Sequence, residues 1–247
     1  MSRFLLAGSF ALAAAAALAA APSIADSPRD GLQRNGKAIG AAWTDTGRFD
    51  SLTAAGMDNV RLVTGEHWRI RASGDARVVA QLRFMVRDGA LVVGRVSGGP
   101  ERSGKAQIEV IAPAIHAVTA AGSGNVDVER LTGASAVATI AGTSHTLVRQ
   151  VESKTLSATI AGSGSLDLRG RSDRADITIA GSGAFDGKAF TAGSASVTVA
   201  GSGSGRLRSP GPVSATIAGS GSVRVTGTTT CSATRLGAGR LICTRDS

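Results

Sequence analysis

From about residue 116 to residue 228, small and apolar residues alternate with polar ones in short runs. Each run halts at a glycine and then resumes. The unit Ala138-Thr139-Ile140-Ala141-Gly142 returns as Ala158-Thr159-Ile160-Ala161-Gly162 and as Ile177-Thr178-Ile179-Ala180-Gly181. It returns again as Val197-Thr198-Val199-Ala200-Gly201 and Ala215-Thr216-Ile217-Ala218-Gly219, with an earlier member in Val118-Thr119-Ala120-Ala121-Gly122. The lead glycines therefore fall at 122, 142, 162, 181, 201 and 219, spaced by 20, 20, 19, 20 and 18 residues. Gly-Ser-Gly follows in each copy except Gly142-Thr143-Ser144. Alternation then resumes, with Val126, Leu166, Phe185 and Val223 four past the lead glycine and Val128, Val148, Leu168, Leu207 and Val225 six past it. Each copy thus reads as strand, Gly-Ser-Gly corner, strand and polar return. Glycine suits a corner because it accepts positive φ and close backbone approach.

A single copy cannot bury its apolar face alone, whereas copies stacked in register make a continuous core. The predicted fold is all-β, a single-stranded parallel β-helix (solenoid) with rungs of about 20 residues centred on Ala-Gly-Ser-Gly. Six rungs at about 4.8 Å give a rod of roughly 25 to 30 Å. The competing architecture, an antiparallel sandwich, needs Asn-Gly or Asp-Gly hairpin turns, which are almost absent from this region.

Stacking predicts ladders. Thr119, Thr139, Thr159, Thr178, Thr198 and Thr216 form one outward row, a candidate surface ladder. Ser123, Thr143, Ser163, Ser182, Ser202 and Ser220 form a hydroxyl row along the corner. The column five past the lead glycine ends Asp167, Asp186, Arg206, Arg224, so Asp186 and Arg206 are expected as rung neighbours.

The rest of the chain sets the boundaries. Residues 1–25 read as an export signal: Arg3, a run of Ala, Leu and Phe from Phe4 to Ala21, then Ser23-Ile24-Ala25 with cleavage after Ala25. A membrane anchor is the bland alternative for that run. No cysteine stands at the cleavage site for a lipid, and no second apolar run of that length follows, so no transmembrane segment is expected in the mature chain. Residues 26–44, with Ser-Pro, Asp-Gly and Asn-Gly pairs, read as a flexible lead-in. The domain then spans 45–247: an irregular part (45–115), regular rungs (116–228) and a C-terminal cap (229–247). Leu52-Thr53-Ala54-Ala55-Gly56 is a degenerate rung, followed by strand-like runs at Trp68–Ala72, Val78–Val86, Ala90–Val96 and Gln107–Ile111, with a tight turn at Asp88-Gly89.

Export makes the two cysteines readable. Cys231 and Cys243 are expected to pair in an oxidising compartment, stabilising by about 3 kcal/mol in the chain-entropy model; two free thiols are the alternative. The formal net charge is +9, of which Arg3 carries one in the signal. A basic exported chain invites anionic envelope partners such as lipopolysaccharide or acidic glycans. The arginines look scattered, however, with no run of five or six basic residues. With no tyrosine, the chain lacks the stacking aromatics of single-strand nucleic-acid binders, so nucleic acid is not expected.

At this point the chain resembles the head GIN domain family of auto-transporter adhesins. The resemblance rests on the export signal, Arg48-Phe49-Asp50-Ser51-Leu52 before a rung, and Asp88-Gly89-Ala90-Leu91-Val92-Val93. It continues in Ile111-Ala112-Pro113-Ala114-Ile115 leading into Ala121-Gly122-Ser123-Gly124, and in the serial rungs, over roughly residues 45 to 245. It implies a right-handed parallel β-helix in the periplasm, at the cell surface or outside the bacterium, and no established chemistry. No tract of alternating ten-residue membrane strands remains for a translocator barrel.

Candidate chemistry is thin. A polysaccharide-acting β-helix enzyme is the rival reading, and it needs carboxylates converging at a groove; only Asp167 and Asp186 fall in phase, with Asp127 two rungs away. Gly-Ser-Gly recurs too often for a nucleophile elbow, and no strand-to-helix turn accompanies it. His67, His116 and His145 look isolated, so no metal site is expected. Calcium fails on the phase of Asp127 and Asp167, and phosphate-loop chemistry on the missing Lys and helix. No cofactor is expected. A flat binder using the Thr row is a further reading, set against the simple suitability of Thr for exposed strands. The function expected is a non-catalytic, exported envelope module for adhesion or binding.

Overall fold

A computed structural model of the chain describes residues 28–96 and 104–245. The expected export signal lies outside the described residues. Helix α1 (Pro28–Asn35) leads through β1 (Lys37–Ala38) and β2 (Thr44–Asp45) to β3 (Ser51–Gly56), β4 (Asn59–Thr64) and β5 (Arg69–Ser73). A one-turn helix α2 (Ala76–Val79), β6 (Leu82–Arg87), β7 (Ala90–Arg95) and β8 (Gln107–Ala112) follow. The stacked region runs through β9 (Ala117–Gly122), β10 (Asn125–Val128), β11 (Leu131–Gly142), β12 (His145–Gly162), β13 (Ser165–Gly181) and β14 (Ala184–Gly201). It ends in β15 (Ser204–Arg208), β16 (Val213–Gly219), β17 (Ser222–Thr226), β18 (Cys231–Leu236) and β19 (Arg240–Thr244).

The chain is a parallel β-solenoid. The strand before each corner pairs in parallel with its copy one coil away, through β3, β9, β11, β12, β13, β14, β16 and β18. The strand after the corner does the same, from β4 through β10 to β19. The degenerate rung at Leu52 to Gly56 thus stacks in phase under the first regular copy, and the Cys231 strand adds a coil beyond the last. The inward column Ala120, Ile140, Ile160, Ile179, Val199 and Ile217 is buried throughout. Branched aliphatics suit this column because a parallel sheet covered on its inner face favours continuous Val and Ile.

The corner works by backbone contact. Lead glycines 122, 142, 162, 181, 201 and 219 all have positive φ, between +114° and +143°. The lead carbonyls at 122, 142, 162, 181 and 201 accept from amides of the next corner, as Gly142 O does from Ser163 N (3.0 Å) and Gly164 N (2.9 Å). The second glycine of the corner sits on the core residue of the coil below: a Cβ at Gly164 would lie 2.7 Å from Ile140 Cγ2. The exception explains itself on the same geometry. Ser144 fills that position where the column below holds Ala120 in place of Ile, and both line one small cavity. The smaller side chain leaves room, and Ser144 is only 2 % exposed.

Three segments depart from the sequence reading. The polar return is itself a strand with an apolar inner face. It stays extended and in parallel register, carrying Leu131 opposite Val151 and Gly170 opposite Phe190. Leu131, Val151 and Phe190 are buried, so the return builds a third wall. Within 26–44, residues 28–35 form helix α1, with Pro28 at its start, Asp30 in its first turn, Arg34 in its last and Gly36 just beyond. Those are helix-start and helix-stop residues, and Leu32 at 0 % exposure docks the helix on the solenoid end near Gly94. The expected strand at Val78–Val86 begins instead as α2, because the Asp75 side chain caps it by accepting from Arg77 N at 2.8 Å.

The two ends are finished differently. At the N-terminal end, β5 and β6 run antiparallel to β8 and β7, and the two-residue β1 and β2 lie outside them. The β6–β7 turn has φ of 51° at Asp88 and 76° at Gly89, the double positive φ of a tight hairpin turn. Short outer strands and a helix blunt that edge. At the C-terminal end Cys231 and Cys243 form a disulfide. They stand opposite buried Val213 and Val225, so the bond occupies the core positions of the last coil.

Candidate functional site

One outer wall is a hydroxyl and methyl surface. The six expected threonines are joined by Thr53 and Thr234 into one unbroken register: Thr53, Thr119, Thr139, Thr159, Thr178, Thr198, Thr216 and Thr234. Thr178, Thr198 and Thr216 are exposed, and Thr119, Thr139 and Thr159 half-buried. The Ala column beside them and the exposed hydroxyls at Ser123, Thr143, Ser163, Ser182, Ser202 and Ser220 complete the strip. Thr hydroxyls stacked on parallel rungs repeat at about 4.8 Å, and the β-branched stem alone accounts for Thr there.

The wall after the corner carries the charge, and there the structure brings together residues that look unrelated in sequence. Residues about 20 apart are neighbours on adjacent coils. Arg149 donates to both oxygens of Asp127 at 2.8 and 2.6 Å, and on the third wall Arg171 reaches Glu152 at 2.9 Å. The hydrogen bond to Asp127, then its charge, raises the Arg149 guanidinium above its usual value; Asp176 does the same for Arg174. Asp186 and Arg206 are rung neighbours in register, but the carboxylate of Asp186 lies 3.5 Å from Lys188 on its own strand.

Beyond Asp186 the balance ends. No Asp or Glu occurs again until Asp246, while Lys188, Arg206, Arg208, Arg224, Arg235, Arg240 and Arg245 all fall in that stretch. All seven are exposed. Arg206 and Arg224 face each other in register, and Lys188, Arg206, Leu207, Arg224 and Thr226 line one shallow depression. Six of the chain's 23 arginines thus stand on the last coils, set apart from the rest by the absence of acids between 187 and 245. A count of acids along the sequence carries this signal, whereas a search for consecutive basic residues does not.

The catalytic readings meet the same geometry. Asp167 and Asp186 stand in register on an exposed wall. His145, isolated in sequence, has Nδ1 2.6 Å from Ser165 Oγ and Nε2 3.6 Å from Asp167 Oδ2. That trio resembles a nucleophile, base and carboxylate, but it is solvent-exposed, and the Ser165 amide is already donated to Ser144 O at 3.0 Å. An oxyanion needs donors aimed at it, from backbone or side chains, and the parallel ladder already commits the Ser165 amide. His116 lies 3.8 Å from Asp50. Among the described residues no three His, Cys, Asp or Glu side chains gather as a metal site, and no helix is long and apolar enough to cross a membrane.

The fold thus defines a capped parallel β-solenoid that displays a threonine strip and a basic end. The chain belongs to the family described as "Putative auto-transporter adhesin, head GIN domain", whose profile matches residues 48–229. Solved structures share the fold. One of a putative adhesin from Bacteroides fragilis is 19% identical, covers 82% of this chain and 95% of its own, and superposes with a TM-score of 0.75. A putative adhesin from Parabacteroides merdae is 17% identical over 83% of this chain and 95% of its own, with a TM-score of 0.62. A putative lipid binding protein from Parabacteroides distasonis is also 17% identical, over 83% of this chain and 96% of its own, with a TM-score of 0.64. No curated protein matches the sequence.

Proposed function

We propose that the chain is exported and serves, without catalysis, as an envelope-associated binding module that docks its basic C-terminal coils on an anionic envelope component, either lipopolysaccharide or another acidic glycan. The observation that carries this reading is the acid-free stretch between Asp186 and Asp246, whose cations are all exposed. A patch of one charge sign attracts a polyanion over a longer range than any single ion pair. Three further points support it. Membership of an adhesin-named family fits a binding role. The Cys231–Cys243 disulfide suits an oxidising compartment such as the periplasm or cell surface. A fold neighbour is named a lipid binding protein.

Co-sedimentation of the chain from Asp26 onward with purified envelope fractions tests the reading. Pelleting with an anionic fraction is expected at low salt and is expected to fall away at high salt, as the Debye length shrinks from about 30 Å at 0.01 M to about 3 Å at 1 M. Pelleting that ignores salt, or none with any fraction, would count against it.

A further inference from the structure

Net charge does not describe how the last coils hold their arginines. Arg206 and Arg224 are directly opposite in a parallel ladder, so their side chains leave the sheet about 4.8 Å apart. Like charges opposed in this way destabilise a sheet. Earlier coils place an acid beside some of their cations, as Asp127 stands by Arg149 and Glu152 by Arg171. Here the neighbouring Asp186 lies against Lys188, and the next coil offers Ile242 opposite Arg224. The two arginines, Lys188 and Thr226 then rim one depression floored by Leu207.

We infer that this depression is a binding site for a phosphate group. The inference rests on the anionic-envelope reading above and narrows it. A carboxylate carries one charge and two acceptor oxygens, which a single arginine fork satisfies. A phosphate monoester carries about −1.5 to −2 charges at neutral pH and three strong acceptor oxygens. It can therefore accept from both guanidinium forks and from the Lys188 ammonium at once, and it removes the repulsion between Arg206 and Arg224. Arginine suits the task because its planar fork stays charged and is weakly hydrated. The Thr226 hydroxyl adds a neutral donor at the rim. A phosphate carried on a lipopolysaccharide and free inorganic phosphate present the same chemistry, and the experiment separates them.

The test compares the full mature chain with R206Q/R224Q and with a charge-matched control, R130Q/R171Q, on another wall. The probes are lipopolysaccharide, the same lipopolysaccharide after removal of its phosphates, polygalacturonate and inorganic phosphate. R206Q/R224Q is expected to weaken binding of intact lipopolysaccharide by at least about tenfold, the scale of losing one or two charge-assisted hydrogen bonds, while the control stays near the parent. Removal of the phosphates is expected to abolish the difference between the two variants. R206Q/R224Q should melt no lower than the parent, since it relieves a repulsion, and R130Q/R171Q close to the parent, since its ion pair is exposed; the melt shows that lost binding is not lost folding. Tight binding of inorganic phosphate alone would assign the site to the free ion; competition only at high concentration would assign it to a phosphate displayed on the lipid. Equal loss in both variants, or binding of polygalacturonate or dephosphorylated lipopolysaccharide as tight as that of intact lipopolysaccharide, overturns the phosphate site and leaves the electrostatic reading standing. Absence of binding to every anionic probe overturns both.

Discussion

Gly181→Ala is expected to cut the stability of the solenoid severely. A Cβ at this position would lie 2.6 Å from the carbonyl oxygen of Gly162 on the coil below, and φ is +114°. Two costs add. The backbone conformation penalises any L side chain by about 1 to 3 kcal/mol, and forcing an atom into closed packing costs about 1 to 3 kcal/mol more. The neighbour is backbone and cannot swing aside, because Gly162 O also accepts from Ser182 N at 3.0 Å. Gly47→Ala is the built-in control: φ is +85°, and nothing lies within 4 Å of the added atom. Urea midpoints check the pair. Gly181→Ala should fall well below Gly47→Ala, and equal midpoints would mean that the stacked corners do not hold the coils.

The second large effect belongs to the N-terminal end. Asp58 accepts from Arg95 Nε at 2.7 Å and Nη2 at 2.5 Å and from the amide of Ala106 at 2.8 Å. The side chains are 4 % and 12 % exposed. The hydrogen bond to Asp58 outweighs burial and raises the Arg95 guanidinium above its usual value. Asp58→Ala strands that buried cation and frees the Ala106 amide, so a loss of about 3 to 5 kcal/mol is expected. Asp45, whose pair with Arg69 is exposed, should lose no more than about 1 kcal/mol on the same substitution. Thermal melts of the two variants make the comparison, and similar melting points would show that the Asp58 pair does not anchor this end.

Much of the solenoid is legible in the sequence because its period is nearly constant. The Thr, Ala and Gly columns recur at 18 to 20 residues, and only stacked coils make such columns adjacent. The third wall is less legible. Its inward column reads Leu131, Val151, Gly170 and Phe190, so glycine and a ring interrupt the apolar signature. Helix α1 hides behind Asp30-Gly31 and Asn35-Gly36, pairs that signal turns until Leu32 finds a surface to bury against. The charged sites fail for a different reason. Arg206 and Arg224 are eighteen positions apart in the chain and neighbours in the ladder. His145 and Ser165 are twenty apart and hydrogen-bonded. Once the period is known, reading charge along columns instead of along the chain recovers both.

The most direct measurement is an amide chemical-shift map of the isotope-labelled mature chain titrated with the soluble phosphorylated oligosaccharide of lipopolysaccharide. The predicted perturbations cluster at 204–208, 222–226 and 240–244, on the basic wall of the last coils. Perturbations centred on the threonine strip or on the N-terminal end, or none at all, would contradict the assignment of binding to that wall.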